Sequence, residues 1–116
     1  MTRFLFISDT HLFAAPMQYF QQPAYPERLD EILAALAEWI QIKGGVDFVL
    51  HGGDMIDGVT ASAIRGAARA FRLPAPVYLC LGNHDVSAKN AVDLWLSNAP
   101  EFFPGGAVDY SIVTPD

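Results

Sequence analysis

Basic residues are scarce in this chain. Seven Lys and Arg stand against thirteen Asp and Glu in 116 residues, a formal charge of −6. Proteins that grip nucleic acid through its phosphates, or an anionic membrane through a basic cluster, need the opposite balance. Cysteine is scarcer still: Cys80 stands alone, which excludes an intramolecular disulfide and fits a reducing compartment. Histidine occurs only at positions 11, 51 and 84. No stretch approaches the ~18 consecutive apolar residues of a membrane span. The first apolar run, Phe4-Leu5-Phe6-Ile7, is too short for the core of a secretory signal. These absences read as a cytoplasmic chain. With 52% hydrophobic and 17% charged residues, it is expected to fold as about one domain with a real core.

The sequence shows a repeated change of hydrophobic period, with no internal repeat, low-complexity tract or linker. Residues 4–7, 46–50 and 77–81 are short apolar runs of the kind found in strands buried on both faces, and residues 110–113 form a weaker fourth run. Helical spacing fills the gaps. Leu29, Ile32, Leu33, Leu36 and Ile40 make one apolar stripe, with Glu27, Asp30 and Glu31 in the first turns, Lys43 near the end, and Gly44-Gly45 as the stop. A second helix is expected over residues 60–72, with Ala61, Ile64, Ala68 and Phe71 inward, ended by Pro74. A third is expected after Ser87 as cap, carrying Val92, Trp95, Leu96 and Ala99 before Pro100. This alternation predicts an α/β fold, a mainly parallel sheet with flanking helices. Sites in such sheets form beyond the carboxyl ends of the strands.

Each of the first three runs leads into a polar cluster: Ser8-Asp9-Thr10-His11, then His51-Gly52-Gly53-Asp54-Met55-Ile56-Asp57-Gly58, then Gly82-Asn83-His84-Asp85. Asp9 and His11 are two apart, so in extended chain they share a side and can share an ion. Carboxylate with imidazole suits Mn, Fe or Zn better than Mg or Ca. Asp54 has two oxygens with which to bridge two cations, and Asn83 offers a neutral amide oxygen. Two ions about 3.5–4 Å apart can activate a bridging water and stabilise an in-line phosphoryl displacement. His84 is then placed to donate to a phosphate oxygen or leaving group, with Asp85 fixing its tautomer, while Asp57 either caps the loop before the second helix or, the favoured reading, braces the site from behind.

Together, Asp9-Thr10-His11, Gly53-Asp54-Met55-Ile56-Asp57 and Gly82-Asn83-His84-Asp85 resemble the D-x-H, G-D-x-x-D and G-N-H-D motifs of calcineurin-like metallophosphoesterases. The short loops and the Ser8-to-Leu12 start are most similar to the bacterial class III cyclic-nucleotide and glycerophosphodiester phosphodiesterases. The resemblance implies Asp9 and His11 on a first metal, Asp54 bridging, Asn83 on a second, and His84 at the scissile phosphate. It also implies a small phosphate-ester substrate, with attack by activated hydroxide and no covalent enzyme intermediate. The DNA exonuclease branch of the superfamily shares these motifs, but the acidic charge counts against it.

The family draws further metal ligands from its second half, including a Gly-His-x-His motif, and no Gly-His pair occurs here. Residues 1–116 therefore read as an incomplete domain whose second metal keeps only Asp54 and Asn83. The exposed last strand and uncovered apolar helix faces would favour a homo-oligomer. A non-catalytic metal-binding or interaction module is the rival from another class. His51 occupies a family position that is not a ligand and is expected to pack or hydrogen-bond at a strand end. Arg65, Arg69 and Arg72 read as a solvated helix face, and Cys80 as a core residue. The long segment over residues 12–25, rich in aromatics, is either a substrate wall or an ordinary apolar surface.

Overall fold

A computed structural model describes residues 1–15 and 26–116 of the chain. Three short strands, β1 (Phe4–Ile7), β2 (Phe48–His51) and β3 (Val77–Leu79), form one parallel sheet in the order β1-β2-β3. Helix α1 (Leu29–Ile42) joins the first pair, α2 (Ala61–Ala70) the second, and α3 (Ala91–Asn98) follows β3. The strand order advances in one direction, so crossovers of one hand place both connecting helices on one face. Burial agrees. Val49, His51, Val77 and Leu79 are buried, and the apolar members of this set share a core with Leu29, Leu33 and Ile40 of α1, Ile64, Ala67 and Ala68 of α2, and Trp95 of α3.

The opposite face is less covered. Phe4 and Phe6 are 53% and 62% exposed, and the Phe4 ring stacks on Phe48. The first run is therefore not buried on both sides, because no helix among the described residues lies over that face. The stripe of α1 is narrower than its spacing predicts: Ile32, on the flank, is 43% exposed, and Trp39 and Ile42 join it on the outside. Gly44 at φ 81° takes the left-handed turn that ends this helix. Helix α2 begins where expected, since Thr60 accepts a hydrogen bond from the Ala63 N–H.

Four expectations are corrected. The β2 ladder starts at Phe48 rather than residue 46, because the Asp47 carboxylate takes the Arg3 N–H that a ladder partner would receive. Ser87 does not cap α3; its hydroxyl donates to the His84 carbonyl three residues back, and Asn90 precedes the helix. Residues 110–113 form no strand. Tyr110 donates its hydroxyl to the Leu79 carbonyl, and the Asp116 carboxylate takes the Thr2 N–H, so side chains anchor this segment in place of a ladder. Cys80 lies one residue beyond β3 and is exposed, near the Tyr110 hydroxyl. Of the aromatic segment over residues 12–25, positions 16–25 lie outside the described residues.

No helix among the described residues is long and apolar enough to cross a membrane. The two sheet faces differ enough to be told apart by mutation. Ile40→Ala, at a fully buried position, is expected to lower the unfolding free energy by about 2–5 kcal/mol. Phe6→Ser, on the exposed face, is expected to cost under about 1 kcal/mol. Urea titrations of the two variants make the comparison.

Candidate metal centre

The site grows directly out of the sheet. Past Ile7 and His51, the two chains stay hydrogen-bonded side by side: Asp9 N–H to Gly53 O at 2.9 Å, His11 N–H to Asp54 O at 2.9 Å, and Leu12 N–H to Met55 O at 2.8 Å. The loop after β3 is tied to the same stretch, because the His84 N–H donates to Asp54 Oδ1 at 3.0 Å. Three strand ends thus converge on one place, as a parallel sheet requires.

Within that convergence, ligand atoms of Asp9, His11 and Asp54 lie within 4.8 Å of one another, and so do those of His11, Asp57 and His84. His11 belongs to both groups through different nitrogens. Its Nε2 lies 3.8 Å from Asp9 Oδ1, and its Nδ1 lies 3.5 Å from Asp57 Oδ1. The same Asp57 oxygen lies 3.3 Å from His84 Nδ1, and the two imidazoles meet edge to face at 4.9 Å. A metal-binding histidine commonly gives its second nitrogen to a carboxylate, which fixes the ring and its tautomer. Asp9, His11 and Asp54 together could hold a metal ion, and the Asp57 carboxylate lies on the far side of the His11 ring. Asn83 is exposed in the β3 loop, between Gly82 and His84.

The backbone is bent to achieve this. Asp9, His11 and Asp54 all adopt left-handed conformations, at φ 57°, 45° and 52°. Each costs roughly 1–2 kcal/mol in an L-residue, and such outliers cluster at functional sites. Close approach also matters. A Cβ on Gly82 would sit 2.3 Å from Asp54 Oδ1 and 2.5 Å from the Asp54 nitrogen, so only glycine admits the Asp54 carboxylate there.

Asp85 does not hold His84. It is fully buried, with Oδ1 accepting the Met55 and Ile56 N–H groups at 3.0 and 3.2 Å and Oδ2 accepting the Gly82 N–H at 2.8 Å. Burial pushes its carboxyl above the usual range, and the donors from Gly82 and Ile56 pull back against that. The neighbour of His84 is Asp57, whose backbone carbonyl also lies 3.4 Å from His84 Nδ1. Only the Gly82 N–H belongs to the turn that Asp85 closes; the Met55 and Ile56 donors come from the loop after β2, which no local pattern announces. Thr10 carried no motif weight in the sequence, yet its buried hydroxyl lies 2.9 Å from His51 Nε2 and donates to Met55 O at 3.1 Å. The Gly53 N–H donates to the other nitrogen of His51 at 3.1 Å, so neither nitrogen is turned to a metal.

Burial pushes the His51 pKa down from 6.5 to about 4, although the carboxylates of Asp9 and Asp54 favour its charged form. Between those values the unfolded chain takes up a proton at this position and the folded chain does not. Stability from this group is therefore present above about pH 6.5 and lost as pH falls toward 4, by up to about 3 kcal/mol. His51→Gln, which does not titrate, should flatten that part of the profile in urea unfolding at pH 7 and pH 4.5. Gly82→Ala is expected to weaken Mn²⁺ binding at least tenfold by displacing Asp54, as read by titration calorimetry on chain checked for folding by circular dichroism.

No curated protein matches this sequence. A family model described as calcineurin-like phosphoesterase matches residues 2–113. That match spans β1 through the segment after α3 and contains every residue of the centre described above. The chain belongs to the calcineurin-like phosphoesterase family.

Proposed function

We propose that the chain is a metal-dependent phosphoesterase acting on phosphodiesters, with Asp9, His11 and Asp54 on a first ion, Asp54 and Asn83 on a second, and His84 at the scissile phosphate. The observation that carries this reading is the double use of His11, one nitrogen toward Asp9 and the other toward the Asp57 carboxylate that also holds His84. Ligand and proton donor are thereby set in one arrangement. Ions of the Mn, Fe or Zn type supply, when bound, a Lewis acid for the phosphate and a lowered pKa for water.

The chain's own residues do the rest. Among the described residues, both acceptors facing His84 Nδ1 belong to Asp57, its carboxylate and its carbonyl, which favours the proton on Nδ1 and leaves Nε2 for the substrate. In its charged form the ring donates from Nε2 to the departing oxygen, and Asp57 stabilises that charge. Residue 84 also acts through its backbone, because its N–H holds Asp54 Oδ1. The ligand and the group that meets the leaving oxygen are therefore tied by one hydrogen bond. The net charge of −6 favours a small diester over a polynucleotide.

The test is hydrolysis of bis(p-nitrophenyl) phosphate by the purified chain with Mn²⁺ in excess and a chelator control. Turnover should vanish with chelator and in Asp54→Asn. His84→Asn should lower kcat by about 10²–10⁴ while Mn²⁺ still binds. A folded chain that binds Mn²⁺ without hydrolysing any diester would sink the catalytic reading and leave a metal-binding module.

A further inference from the structure

Thr10 stands between two of the candidate ligands, and both neighbours hold left-handed backbone, Asp9 at φ 57° and His11 at 45°. A shift of either toward ordinary φ would swing its side chain away from Asp54. We propose that His51 is a positioning residue: acting through Thr10, its imidazole fixes the Asp9–His11 stretch where it shares a metal ion with Asp54. This inference rests on reading Asp9, His11 and Asp54 as metal ligands.

The direction of every hydrogen bond follows from chemistry. A backbone N–H can only donate, so the Gly53 N–H 3.1 Å from His51 Nδ1 requires a lone pair there. The neutral ring then carries its proton on Nε2 and donates it to Thr10 Oγ1 at 2.9 Å. The Thr10 hydroxyl in turn donates to Met55 O at 3.1 Å. This relay starts on Gly53 and ends on Met55, the two neighbours of Asp54, and passes through the residue between Asp9 and His11. His51 and Thr10 are 0% and 5% exposed, so water does not compete for these bonds. The ring is also held edge-on against Phe71, at 5.4 Å between centroids. The adjacent backbone bonds, Asp9 N–H to Gly53 O and His11 N–H to Asp54 O, set the spacing of the two chains. The side-chain relay adds a fixed rotation at Thr10.

A packing role would need only the volume of these side chains; a positioning role needs their bonds. The experiment measures Mn²⁺ affinity of the full chain by titration calorimetry, with the melting temperature of each metal-free variant recorded alongside. Thr10→Val keeps the shape and deletes the hydroxyl, whereas Thr10→Ser keeps it. His51→Asn places an acceptor for Gly53 but falls short of Thr10, and His51→Gln reaches Thr10 with an amide donor. Thr10→Val and His51→Asn should each weaken Mn²⁺ binding at least tenfold, with Thr10→Ser and His51→Gln within threefold of the parent.

Equal affinity across all four, with binding lost in Asp54→Asn, would overturn the positioning role and leave the metal site standing. Losses as large in Thr10→Ser and His51→Gln would also overturn it, since shape rather than bonding would then govern. A parent chain that takes up no Mn²⁺ overturns both readings. Where Thr10→Val fails to fold, the His51 pair decides.

Discussion

The Asp85 carboxylate, buried between two loops, is the constraint on which the site's frame depends. It collects N–H groups from Met55 and Ile56 on one side and Gly82 on the other, while its own carbonyl accepts the Trp95 indole N–H at 2.7 Å. A buried carboxylate is costly unless its oxygens are hydrogen-bonded, and here backbone donors fill them. Asp85 thereby binds the β2 loop to the β3 loop, and through Trp95 it fastens both to α3. Asp54 lies one residue from one of those N–H groups, and Asn83 and His84 lie between Gly82 and Asp85. The chemistry is suspended from a structural carboxylate.

Around that frame lie two sets of polar side chains. His11 looks both ways, to Asp9 and to Asp57, and Asp57 gathers both imidazoles on one oxygen. His51 stands behind, its ring nitrogens turned to Thr10 and Gly53. Left-handed backbone at three candidate ligand residues is costly for L-residues, and local preference alone does not secure it. They are held by the ladder bonds between the first two loops and by the close packing of Gly82 on Asp54.

Much of this was legible in the sequence. Apolar runs at 4–7, 46–50 and 77–81 located all three strands, and the polar clusters beyond them marked the site, because a parallel sheet sends its strand ends to one edge. The motif spacing brought Asp9, His11 and Asp54 into one group. What escaped depended on direction rather than position. Asp85 follows His84 in sequence but turns back to backbone donors, while Asp57, twenty-seven residues earlier, faces the ring. Sequence distance does not report which way a turn residue points. The fourth strand failed for a similar reason: residues 110–113 have strand-like composition, but Tyr110 is tethered by its hydroxyl to Leu79.

The neighbour order β1-β2-β3 bears on how the chain emerges during synthesis. β2 and β3, once made, each find the strand they first pair with already present, and neither opens an existing pair. Vectorial growth thus matches the sheet. The Asp9–His11 loop is made first, gains its rigid companion when residues 51–57 follow, and is locked only when Asp85 arrives. The candidate ligand residues are gathered in the order in which they are translated, with the buried carboxylate as the last latch.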